Sequence, residues 1–286
     1  MDAVSVSSLS ARVSRRPRPA WARGQTVTAL IARDWRITRS YRGALVSDLA
    51  FGCLNLVAYY YISRTVKVSV HADLDGAPSY FAFAAVGVAL SVVLQAAIIG
   101  VSTRLREEQL TGTLEALCAQ PISAWELALG LAGFPFLFAV FRAFAYLLIA
   151  GALLGLDFSR CAWAGLVGAF LVTGLALGAV GVCLAALVLV FKRANSVGAI
   201  GTFGMSLLGG ALFPASVLPH FLRPLAAIVP TRFAFSAARA ALFGRPGWPE
   251  SILDLAGIGI ALGAISIVLF TLALRHAVSR GTLNQY

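Results

Sequence analysis

Long apolar stretches alternate with short polar ones along most of this chain. Apolar runs of about 20 residues, each enough to cross a bilayer as a helix, lie near Ala44–Ile62, Tyr80–Val101, Trp163–Phe191, Ser196–Phe213 and Ile252–Leu274. A sixth lies within Leu127–Leu156, longer than needed, and is expected to tilt, kink or project. The runs are solid rather than alternating, which argues against a membrane barrel. The pattern predicts an all-α integral membrane protein with six transmembrane helices. Before the first run, "TVTALIARDWRITRSYR" is amphipathic. Val27, Leu30, Ile31 and Trp35 share one face and arginines occupy the rest, predicting an interfacial helix on the inner leaflet. A plain positive stop before the span is the alternative.

Composition agrees. The chain has 286 residues, 59% hydrophobic and only 12% charged, about half the charged share of a soluble domain. A net charge of +11 raises nucleic acid as a partner, but the placement of the charges favours a membrane and no nucleic acid. The amino-terminal segment carries nine arginines from Arg12 to Arg42. Arg104 and Arg106, Lys192 and Arg193, and Arg275 and Arg280 fall on the same side if the span count is even. That side is expected to be cytoplasmic, with both termini inside and the protein in the inner (cytoplasmic) membrane. Residues 1–24 are basic without an apolar core, so they read as a disordered tail rather than a signal peptide. Residues 281–286 read as a short carboxy-terminal tail.

"REEQLTGTLEALCAQPIS", residues 106–123, stands out as an acidic amphipathic stretch between two apolar runs. As a helix it aligns Leu110, Leu114 and Leu117 on one stripe, with Glu108 and Glu115 opposite. Gly112 weakens a helix by about 1 kcal/mol relative to alanine, so the start falls there. Pro121 ends the element. Ser123-Ala-Trp-Glu126 reads as a capping box opening the third span. On these residues alone, an ordinary polar loop with a short surface helix stays open.

The block "LREEQLTGTLEALCAQPISAWELALG" resembles the signature of permease subunits of ATP-binding cassette transporters of the type-2 class. The matching residues are Glu107, Glu108, Gly112, Thr113, Leu114, Glu115, Pro121 and Ser123. The resemblance implies that this segment, with Leu117, is a cytoplasmic coupling helix that docks on a separate ATPase subunit. A second block, "GGALFPASVLPHFLRPLAAIVPTRFAFSAARAALFG", resembles the class between spans five and six. Pro214, Pro219, Pro230 and Arg239 occupy its positions, although Thr231 follows the proline directly. The resemblance implies short re-entrant helices there. Physics agrees in part, because the segment is too interrupted by proline for one helix and too apolar for a wet loop. The likeness covers residues 25–280, taken as one transmembrane domain.

The resemblance implies the permease half of an ATP-driven exporter, completed by a second copy or a paired permease among membrane lipids. No G-x-x-x-x-G-K-[ST] is present, as neither Lys67 nor Lys192 follows a glycine. ATP and magnesium are therefore expected on the partner ATPase, and no cofactor on this chain. The histidines His71, His220 and His276 form no metal or nucleophile constellation, and the four scattered cysteines read as packing residues. The chain is not expected to be an enzyme.

Within the apolar runs, Asp48 and Arg142 are charges in a costly place. Asp48 lies about one turn inside its run. Arg142 lies about fifteen residues from either end of its own, roughly 22 Å at helical rise. Arg142 can line a cavity, pair with an acid or snorkel, and no acid is marked as its partner. Gln95 and Asn55 are candidates for hydrogen bonds between helices. Gly174-x-x-x-Gly178 marks close packing, and Pro135 a kink. Two rivals remain: a membrane-embedded enzyme on lipid-linked substrates, and a channel or scaffold without a motor.

Overall fold

The structure is a computed structural model that describes residues 20–40, 42–65, 74–120, 122–190 and 194–279. Among the described residues, ten α-helices and one 3-10 turn, Ala215–Val217, make up the regular structure. They are α1 (Ala20–Ser40), α2 (Arg42–Thr65), α3 (Tyr80–Leu110), α4 (Thr113–Ala119), α5 (Ala124–Leu154), α6 (Trp163–Val190), α7 (Ala194–Leu208), α8 (Arg223–Ile228), α9 (Pro230–Leu242) and α10 (Trp248–Ser279). Five of them, α2, α3, α5, α6 and α10, are long and apolar enough to span a membrane. The protein is an all-α, multi-pass membrane protein.

The fifth run does not fold as one spanning rod. Its helix α7 has 15 residues, about 22 Å at 1.5 Å per residue, against a hydrocarbon core of about 30 Å. Gly210, with φ 85, takes the left-handed conformation that closes the helix. The amino-terminal helix also differs slightly, starting at Ala20 inside the stretch read as a tail. Residues 1–19, Pro121, Lys192, Arg193 and the tail 281–286 lie outside the described residues.

α3 forms the middle of the bundle. Phe83, Ala84, Ala85, Val86, Ala89, Leu90 and Val93 along it are fully buried. Small residues allow that closeness, since packing rather than water exclusion holds helices together in lipid. A Cβ on Gly181 of α6 would lie 2.1 Å from the Ala97 carbonyl oxygen of α3, and one on Gly87 would lie 1.8 Å from that of Ala211. Gly174 accepts the ring of Phe136 from α5, so half of the predicted glycine pair is used within the chain. Gly178 faces open space. Helix α5 runs unbroken through Pro135.

Neighbour contacts fix the directions. The rings of Tyr60 and Phe81 meet edge to face at 5.4 Å, placing the end of α2 beside the start of α3. Leu127 and Leu131 join Val101 and Leu105 in one cluster, so α5 starts beside the end of α3. Ala185 and Ala186 of α6, and Phe270 and Ala277 of α10, share that cluster. At the opposite end, the Trp248 ring covers Gly165. Helices α6 and α10 therefore run parallel. Between them the chain must return from one end of the bundle to the other, through α7, the 3-10 turn, α8 and α9. The end bearing Arg33, Arg104 and the last turn of α10 is the charged end of the bundle.

Candidate functional site

The α3–α4–α5 elbow sits at the charged end. Helix α3 stops at Leu110, and Gly112, at φ 72, turns the chain into α4. A left-handed residue without a Cβ costs little there. Leu114 is fully buried and belongs to the cluster of Val101, Leu105 and Leu127. It roots α4 in the bundle and leaves Glu115 and Ala116 exposed. Leu117 packs at the margin of the same cluster, while Leu110 is 62% exposed, so the leucine stripe is shorter than its spacing suggested. The expected capping box is present: the Ser123 backbone N–H donates to the Glu126 carboxylate at 2.7 Å. Burial pushes the Cys118 thiol of α4 above its ordinary pKa, with the charge of Glu115 adding to it, consistent with a packing cysteine.

Glu108 does not face outward with Glu115. It belongs to the last turn of α3, is 8% exposed, and is held by Arg33 of α1 and by the Thr113 hydroxyl. The helix breaks at Gly112, so a single helical wheel over 106–117 misplaces it. Arg33 also binds Asp34 at 3.1 Å. Asp34, 1% exposed, faces Arg104 at 3.7 Å, and Arg104 binds Glu107 at 2.8 Å. Burial opposes the charge of Arg33, but the hydrogen bond and charge of Glu108, with Asp34, outweigh it and raise its pKa. This ion network ties α1 to the base of α4. Sequence reading missed Asp34, whose one signal is a lone acid amid the arginines of α1. The apolar face of α1 rests on α5: Leu30 meets Gly130, Ile31 meets Gly133, and Trp35 lies 6.3 Å from Phe134, ring to ring.

The two intramembrane charges find each other. Arg142 of α5 donates to Asp48 of α2 at 2.8 Å, and the Tyr146 hydroxyl donates to the Asp48 carbonyl at 3.0 Å. The Arg142 guanidinium lies over Phe138, 5.1 Å from the ring centre. Two clefts of about 360 and 430 Å³ meet at this pair, both lined by Gln95, Ile99, Asp48 and Arg142. One opens toward Arg104 and Glu107 at the charged end; the other continues past Asn55, Tyr59 and Ser206. Together they form a largely apolar groove between α2, α3, α5 and α7, with the ion pair in its wall. Gln95 faces the groove, and Asn55 donates to the Phe51 carbonyl of its own helix at 3.1 Å rather than across helices.

At the far end, prolines open the short elements. Pro230 begins α9, Pro224 sits in the first turn of α8, and the Pro214 and Pro219 carbonyls accept turn hydrogen bonds from Val217 and Leu222. Arg239 of α9 is 1% exposed. It donates to Asp75 at 3.0 Å and to the carbonyls of Gly210 at 2.7 Å and Ala211 at 3.1 Å. Its guanidinium stacks on Phe83, 3.4 Å from the ring centre. Thr231 donates to the Met205 carbonyl at 2.6 Å. One cation thus joins the α2–α3 connection, the end of α7 and α9. Among the described residues, no group of three or more His, Cys, Asp or Glu could hold a metal.

These features define a multi-pass helical membrane protein with a groove that carries an ion pair and a rooted elbow at its charged end. Residues 25–243 match the family of ABC-2 type transporters, and the chain belongs to that family. The match begins within α1, runs through α9 and stops short of α10. None of the curated proteins compared matches the chain. Membership makes the chain the membrane component of a transporter in which an ATPase is the expected companion.

Proposed function

We propose that the chain is the permease subunit of an ATP-driven exporter, coupled through α4 to a separate ATPase that carries ATP and magnesium. The observation that carries this reading is the rooted elbow. Buried Leu114 fastens α4 to the ends of α3 and α5, while Glu115 and Ala116 stay available to a partner. Force applied to such a helix passes directly into two membrane helices. The charged end is read as cytoplasmic, which places both termini inside and α4 within reach of a soluble ATPase in the inner membrane. The return from α6 to α10 through α7–α9 makes a sixth crossing, with α8 and α9 as re-entrant helices at the outer side. The groove lies along α2 and α7, and α2 exposes Phe51 and Leu54 at 70% and 67%. A second copy of the chain, covering that side, would complete the path.

Docking then rests on Glu115 and on Glu107, the half-exposed outer end of the ion network, whereas Glu108 is buried within it. Reversing the first two together (Glu107→Lys, Glu115→Lys) is expected to cut ATPase recovery in an affinity pull-down about tenfold, roughly 1.4 kcal/mol, with unaltered membrane insertion. Full recovery of the ATPase and unchanged ATP turnover in that variant would remove α4 from the docking surface.

A further inference from the structure

The groove carries its charge unevenly, and that unevenness points to a ligand. In the Asp48–Arg142 pair, the Asp48 side chain is 55% exposed and that of Arg142 only 18%. Arg142 is backed by the Phe138 ring, and its Nε is buried without a hydrogen-bond partner. That nitrogen is out of reach of a molecule in the groove. The guanidinium therefore presents little of itself to a ligand, while the carboxylate stands in front of it. A molecule in the groove therefore meets more of the carboxylate than of the guanidinium.

The surroundings match a positive, oily molecule. Phe51 and Phe203, which line the same cleft as the carboxylate, are 70% and 68% exposed, and Tyr59 lines it too. Aromatic faces attract organic cations, most strongly where water is scarce. Gln95 adds a neutral polar group to the lining. The cleft volume of about 430 Å³ falls in the range of sites for drug-sized molecules, about 300–1,000 Å³. An unpaired carboxylate in a lipid-facing helix is costly, and an incoming cation can take over part of the stabilisation that Arg142 now gives Asp48.

We propose that the Asp48–Arg142 pair is a binding site for amphipathic organic cations, with Asp48 as the counter-ion and Phe51, Tyr59 and Phe203 as the aromatic wall. This names the substrate class of the groove and rests on the permease reading for its place in transport. Binding itself needs no ATPase, so loss of the site and loss of the docking surface are separate results.

The test uses the full chain in lipid nanodiscs, with radiolabelled tetraphenylphosphonium as the probe and empty nanodiscs as background. Saturable binding is expected, weakened about tenfold or more by Asp48→Asn and kept within about threefold by Asp48→Glu, which retains the charge. Asp48→Asn leaves Arg142 without its acid and can fail to fold. The double variant Asp48→Asn with Arg142→Gln removes both charges and is expected to fold and show the same loss. The proposal is overturned if the unaltered chain binds no probe saturably, or if a folded variant without the Asp48 charge binds as tightly as the unaltered chain. Saturable binding of dodecyl phosphate that disappears with Arg142→Gln would overturn it in favour of an anionic ligand.

Discussion

Arg239→Met is expected to lower the thermal stability of the protein more than any other single change at the far end of the bundle. The guanidinium is fully buried and serves the carbonyls of Gly210 and Ala211 as well as Asp75. Methionine fills similar space but donates nothing. Each buried acceptor left without a donor costs about 1–3 kcal/mol, so the two carbonyls alone set a loss of about 3 kcal/mol. The Asp75 ion pair adds little, because that carboxylate is 43% exposed and water can solvate it. Arg239→Lys keeps the charge but cannot fork to three partners, and should fall between the two. A thermal-shift series in detergent reads the order: unaltered chain, then lysine, then methionine. Equal melting of all three would mean that Arg239 does not hold the segment together.

Leu114→Asp should separate stability from coupling. Leu114 is 0% exposed in a cluster shared by α3, α5, α6 and α10. Truncating a buried leucine costs about 2–5 kcal/mol, and a carboxylate there must escape to water or stay buried unpaired. Escape is the cheaper course, since α4 has only seven residues and sits at the margin of the bundle. The spanning helices should stay folded while α4 leaves its seat. Permease-dependent ATP turnover in the reconstituted complex is then expected to fall about tenfold or more, the equivalent of ~1.4 kcal/mol, with a new proteolytic site near Gly112. Turnover equal to that of the unaltered complex would show that α4 transmits nothing through Leu114.

The spans were legible in the sequence because lipid imposes a simple requirement, about 20 apolar residues in a row. The same requirement hid the end of α7. Glycines count as neutral in an apolar run, so Gly209-Gly210 left no trace in hydropathy although Gly210 turns the backbone left-handed. Gly112 did leave a trace, since it interrupts a polar amphipathic stretch. Its consequence for Glu108 was missed, because a wheel drawn across a helix break assigns faces that do not exist. The capping box at Ser123 and Glu126 was readable because both partners lie three residues apart.

Pairings across the bundle were beyond any local pattern. Asp48 and Arg142 are 94 residues apart in sequence, and Arg239 and Asp75 are 164 apart. Asp48 and Arg142 were conspicuous alone and Arg239 by family likeness, whereas Asp75 was not marked at all, and only the packing of α2 on α5, and of α9 on α3, brings the partners together. Asp34 was inconspicuous among arginines, and its burial depends on where α1 lies across α3 and α5. The position of α1 also explains why Arg33 reaches Glu108: the apolar face of the helix is seated on Gly130 and Gly133, which turns Arg33 toward α3.

The direct test of the account is a site-specific photocrosslinker placed at Ala116, the exposed position next to rooted Leu114, in the intact transporter within cells. The account predicts a covalent adduct between this chain and an ATP-binding subunit, formed on the cytoplasmic side. An adduct-free chain in an assembly that still contains the ATPase, or labelling of Ala116→Cys by an impermeant reagent added from outside, would contradict it.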